Sequence, residues 1–109
     1  MADADGMRRE LEKQALMRVV NDEIEDLNAT FGTLLDDHLV LCECGRTRCL
    51  EQIRVPGAEY GRLRALDGVF VVAPGHEQTE LERVVREEAG FRVVELLPHA
   101  RRLARRLSL

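Results

Sequence analysis

The chain has no tryptophan, one tyrosine and three phenylalanines, and its only serine is Ser108. No Ser–His–Asp arrangement can therefore be built. Glycines are scattered, and none opens a helix in the G-x-G-x-x-G pattern of a phosphate-binding loop. H-E-x-x-H is absent, as is the H-x-E…P-C-x-x-C pattern of zinc deaminases. No apolar run approaches the roughly 20 residues that cross a bilayer. The first residues, Met1-Ala2-Asp3-Ala4-Asp5, are acidic and lack the apolar stretch of a signal peptide. A cytoplasmic location is the expectation. There are three cysteines; an odd count without an export signal argues against a permanent disulfide framework.

What is present is concentrated. All three cysteines lie in Cys42-Glu43-Cys44-Gly45-Arg46-Thr47-Arg48-Cys49. Residues two apart on an extended strand face the same side, so Cys42 and Cys44 can aim at one point while Glu43 faces away. Gly45 permits the turn that returns Cys49. Zinc takes thiolate and imidazole ligands, in a closed tetrahedron when its role is structural. The fourth place falls to His76, which follows Pro74-Gly75 at the end of an apolar strand. His38 has the right parity, but four residues of strand put it about 13 Å from Cys42. His99 sits in a tail expected to be mobile. Arg46 and Arg48 can offset the site's negative charge. The expected site is Cys42, Cys44, Cys49 and His76 around Zn²⁺. Three readings compete with it: unrelated buried thiols, a redox- or metal-responsive thiolate switch, and an open hydrolytic zinc with Glu77 as base.

At 109 residues the chain is expected to form one domain, and its charged content of 33% marks it as ordered and soluble. Its net charge is −4. Residues 1–50 carry 6 basic and 11 acidic side chains, and residues 51–109 carry 10 and 9. Excess positive charge collects in the tail 97–109, where Arg101, Arg102, Arg105 and Arg106 would share one side of a helix, opposite Leu103 and Leu107. The tail reads first as a solvated, partly disordered end; the alternative makes these four a candidate contact for an anionic partner (nucleic acid, an acidic protein or anionic lipid), although no aromatics are interleaved with them.

The periodicity predicts a helix from about Met7 to Phe31, after frayed residues 1–6 and with Gly32 as its stop. Leu16, Val20, Ile24, Leu27 and Phe31 form its apolar stripe. Met7 and Leu11 fall on the far side; they read first as stray apolar residues at a solvated helix end, and otherwise as a surface for self-association or a protein partner. Residues 38–42 and 51–55 read as a hairpin with the metal loop at its tip. Residues 58–66 read as a short helix and 69–73 as a central strand buried on both faces. Thr79 with Glu82 forms a capping box for a helix over 80–89. Residues 91–96 are the last strand, parallel to 69–73 through a right-handed crossover. The expected fold is α+β: a long N-terminal helix on a small mixed four-stranded sheet with two shorter helices.

Several blocks also occur in an order that resembles a family of small, uncharacterised actinobacterial proteins. They are Met17-Arg18-Val19-Val20-Asn21-Asp22-Glu23-Ile24, then Cys42-Glu43-Cys44 with Cys49, then Glu59-Tyr60 with Leu63-Arg64. Phe70-Val71-Val72-Ala73-Pro74-Gly75-His76-Glu77, Glu82-Arg83-Val84-Val85 and Phe91-Arg92-Val93-Val94-Glu95 follow. The family has Phe where Met17 stands, and Arg where this chain has an extra acid. The resemblance spans about residues 17–95 and implies that His76 belongs with the cysteines. The arginine tail has no counterpart in it. Together these readings make the chain a zinc-binding, non-enzymatic regulatory or interaction module.

Overall fold

The structure, a computed structural model, describes residues 4–30 and 37–109. It is an α+β fold with a long N-terminal helix, two small antiparallel sheets and two shorter helices. Helix α1 spans Ala4–Thr30. Strands β1 (Asp37–Leu41) and β2 (Gln52–Pro56) form the expected hairpin, with Val40 opposite Ile53. Helix α2 (Gly57–Leu63) follows and buries Tyr60 and Leu63. Strands β3 (Val69–Val72), β4 (Glu82–Glu87) and β5 (Arg92–Leu96) make the second sheet, in the order β3-β5-β4. Helix α3, Pro98–Arg106, is the last of these elements.

Three expectations need correction. The segment 80–89 is not a helix; residues 82–87 are strand β4, paired antiparallel with β5. The Thr79–Glu82 capping box is not what forms. A tight turn closes instead, with the Leu81 and Glu82 amides donating to the Gln78 carbonyl. Val84 then enters a ladder whose cross-strand bonds outweigh local helix propensity, while Val85 is the unpaired residue of a bulge between Val84 and Arg86. The expected parallel pair and its crossover accordingly do not form: β3 and β5 are also antiparallel. The strands form two sheets rather than one mixed sheet. Strand β5 is the central one. Strand β3 lies at an edge, but residue 43 covers that edge: the Glu43 amide donates to the Val71 carbonyl at 2.8 Å.

The third correction concerns α1, which is rotated from its expected orientation. Leu16 and Leu27 are 55% and 57% exposed, and Val19 is 54% exposed. The buried face is Leu11 (2%), Gln14 (1%), Met17 (5%) and Asn21 (0%). Met7 and Leu11 are not strays. They pack in a small cluster with Leu81, Leu96, Ala100 and Leu103. That cluster also explains why the tail folds: α3 covers the start of α1. Residues 4–6, expected to fray, are helical. Phe31 and Gly32 lie outside the described residues. The larger core joins Val40, Ile53 and Val55 of the hairpin to Tyr60, Val71 and Val93.

Candidate metal centre

Strand β1 runs straight into the first ligand. The Cys42 amide donates to the Glu51 carbonyl at 2.7 Å, which extends the hairpin ladder by one bond. Cys42 and Cys44 are both fully buried on one side of this extended segment. Gly45 then passes close beside α1. A Cβ there would sit 2.8 Å from the Glu10 Cβ and 2.5 Å from the Gln78 side-chain oxygen, so only glycine fits. A turn returns the chain, with the Cys49 amide donating to the Arg46 carbonyl at 3.1 Å. On the other side, Ala73-Pro74-Gly75-His76 is a tight turn closed by the His76 amide on the Ala73 carbonyl at 2.9 Å. Proline at its second position and a φ of +85° at Gly75 are the marks of a type II turn. This turn aims the imidazole at the thiols.

The four donor atoms of Cys42, Cys44, Cys49 and His76 lie within 4.8 Å of one another. His76 Nδ1 stands 3.7, 3.9 and 3.5 Å from the three sulfurs in chain order. A zinc tetrahedron built from ordinary bond lengths puts nitrogen and sulfur about 3.6 Å apart. The group could therefore hold a metal ion. The other imidazole nitrogen, Nε2, meets a Glu51 carboxylate oxygen at 3.1 Å, as metal-bound histidines usually do. The Ala73 amide donates to Cys42 Sγ at 3.1 Å. Arg46 donates to the Gly75 carbonyl at 3.0 Å and so spans the two ligand loops. Lys13 reaches from α1 to the Cys49 carbonyl at 3.1 Å.

The thiols are electrostatically unequal. The hydrogen bond between Cys42 and Cys44 pushes the Cys42 thiol up, and burial adds to this. The same bond draws Cys44 down to about 4 against its own burial, helped by the Arg46 amide, His76 and Cys49. The pair thus favours holding one thiolate between them, the species that binds metal.

His38 stands apart, as expected: its Nδ1 lies 2.5 Å from the Glu25 carboxylate, and its ring packs on Gly57. Glu77 is paired with Arg92. Its own backbone amide and then Arg92 hold its carboxyl below the ordinary range against a small burial cost. His99 is fixed in α3 rather than in a mobile tail, and its Nε2 lies 2.9 Å from the Glu80 carbonyl. Arg101, Arg102 and Arg105 line one cleft together with Arg83 of β4; Arg106 is not part of its lining.

The reading from sequence missed the residue between the ligands. Glu43 faces away from the sulfurs, as its parity requires, but into protein. It is fully buried and accepts five hydrogen bonds. Arg18 donates two at 3.0 Å each, Asn21 and the Val71 amide donate one each at 3.0 Å, and the Tyr60 hydroxyl donates one at 2.5 Å. Burial, then the Glu43 charge, raises the Tyr60 hydroxyl above its ordinary range and keeps it a donor. Burial alone would lower the Arg18 pKa, but the hydrogen bond and charge of Glu43 outweigh it and raise it. Asn21 also reads the strand directly, donating to the Leu41 carbonyl at 2.8 Å and accepting from its amide at 2.9 Å. Gln14 bridges the Glu43 carbonyl (3.2 Å) and the Glu82 carboxylate (2.8 Å). The signal was there: Gln14, Arg18 and Asn21 recur at helical spacing, but a polar stripe reads first as a solvated face.

Among the described residues no helix is long and apolar enough to cross a membrane. Compared with known proteins, the chain matches no family model, no curated protein and no solved structure.

Proposed function

We propose that this chain is a small zinc protein whose Cys42–Cys44–Cys49–His76 site is structural, and that it acts as a non-enzymatic interaction module. The observation that carries the zinc reading is the convergence of three sulfurs and one nitrogen at the spacing of a tetrahedron. This donor set suits zinc over magnesium or calcium, which take oxygen. Four protein ligands leave no open position for a substrate. The ion would tie the hairpin loop to the turn after β3. We place the chain with the actinobacterial family that its ordered sequence blocks resemble.

The module reading rests on α1. Leu16, Val19 and Leu27 are more than half exposed on a helix about 40 Å long. The helix has arginines at positions 8 and 9 and acids at 22, 23, 25 and 26. A second copy laid antiparallel along this face would cover Leu16, Val19 and Leu27 with the same side chains of its partner. The partner we propose is therefore a second copy of this chain.

Metal content by mass spectrometry, on wild type and His76→Ala, tests the zinc reading. Wild type should carry one zinc per chain and the variant well under half. Equal metal in both, or none in either, overturns it. Analytical ultracentrifugation tests the module: a dimer is expected, and a strict monomer at high concentration removes the proposed partner.

A further inference from the structure

We propose that the cleft between α3 and the β4–β5 hairpin binds a small phosphate-bearing anion. The cleft holds about 610 Å³ and is lined by Arg83, Arg101, Arg102 and Arg105, with Glu95 as the one carboxylate. That volume is in the range of small-molecule sites. Four guanidiniums against one carboxylate leave three positive charges in excess, in a chain whose net charge is −4.

The internal pairing does not use these cations up. Glu95 is shared between Arg83 at 3.5 Å and Arg101 at 4.0 Å, both long contacts, and Arg101 also donates to the Asp67 carbonyl at 3.2 Å, so Arg102 and Arg105 are the freest of the four. Arg105 has only a 3.8 Å contact to Asp67, with both side chains well exposed. Among the described residues Arg102 has no ion-pair partner. The start of α3 adds to this field. Leu97 and Pro98 line the cleft, the helix has no side-chain cap, and Pro98 occupies its first turn. The Leu97 amide is taken by the Leu81 carbonyl and Pro98 has none, so the helix contributes only the positive end of its dipole.

Guanidinium forks from two elements suit the several oxygens of a phosphate group better than a single carboxylate. A compact ligand is favoured over a nucleic-acid strand. The positive field is confined to one concave cleft, while the rest of the chain is acidic and would repel an extended polyanion.

The test is calorimetric titration of full-length, metal-loaded protein with inorganic pyrophosphate at fixed ionic strength. Parallel titrations use glycerol phosphate and a short single-stranded oligonucleotide. Saturable binding of pyrophosphate at one site per chain is expected. Combined Arg102→Ala and Arg105→Ala substitution should weaken it about tenfold. Arg106→Ala, on the same helix but outside the cleft, should change it less than about twofold. Both variants alter exposed side chains, and unchanged thermal melting shows that they fold. Lack of saturation, equal loss in the Arg106 variant, or tighter binding of the oligonucleotide than of either small phosphate overturns the proposal.

Discussion

The Arg18 guanidinium meets the Glu43 carboxylate fork to fork, Nε on Oε2 and Nη2 on Oε1, both at 3.0 Å. The pair joins the middle of α1 to the residue between Cys42 and Cys44. Arg18 also lies over the Phe70 ring, 4.7 Å from its centre, and donates to the Arg64 and Val69 carbonyls. A carboxylate this deep is tolerated only because its oxygens are saturated.

Removing both partners should therefore cost less than the sum of removing each. Arg18→Ala leaves a buried charge half-paired and should destabilise the fold by about 3–5 kcal/mol. Arg18→Met with Glu43→Leu should cost less than the sum of the single changes. A double-mutant cycle by urea denaturation measures the coupling; simple additivity would show the pair to be inert.

Glu51 tests the surroundings of the metal without touching a ligand. Its carboxylate meets His76 Nε2 at 3.1 Å from a half-exposed position. Glu51→Ala should weaken metal affinity about tenfold, the low end for such partners, and leave melting of the fully loaded protein nearly unchanged. Competition with a chromogenic chelator reads the affinity.

The rotation of α1 gives opposite outcomes on its two faces. Leu11→Ala, at a buried site, should cost about 2–5 kcal/mol. Leu16→Glu with Val19→Glu should leave melting within about 0.5 kcal/mol per site while shifting the protein toward monomer in sedimentation. If the two experiments exchanged results, the orientation of α1 described here would be wrong.

Glu82 gives a pH dependence. Burial raises its pKa above 4.5, against the hydrogen bonds from the Gln78 amide and Gln14. An acid raised in the folded state binds its proton more tightly there than in the unfolded chain. Its contribution is thus greatest at low pH and is lost as pH climbs from about 4.5 through the raised value. Glu82→Gln should flatten that loss. Urea denaturation of both proteins across pH 4.5–8 compares them, and the difference between them cancels the protonation of metal ligands that both share. Parallel curves would show that Glu82 does not titrate in this window.

The legible parts of this protein were the local ones. Strand parity placed Cys42, Cys44 and Glu43 on their sides, and the Pro74-Gly75 pair specified the turn that presents His76. The hairpin and α2 were also readable, because their alternation and breakers act within a few residues. Segment 80–89 was misread because its local signals suit a helix, while its actual partner, β5, is supplied by chain that comes later. The α1 stripe was misread because burial was assumed to follow hydrophobicity. Here Gln14, Arg18 and Asn21 are inside because the exposed strand edge, the buried carboxylate and the loop carbonyls need donors.

By itself, then, the sequence determined which donors a metal would find and which turns would carry them, since ligand chemistry and backbone preference belong to single residues and their neighbours. Only the tertiary structure decided which face of α1 is inside, how the strands pair, and that Glu43 is the polar centre. Those choices depend on where distant hydrogen-bonding groups come to lie once the chain has closed on itself, and no periodicity records that.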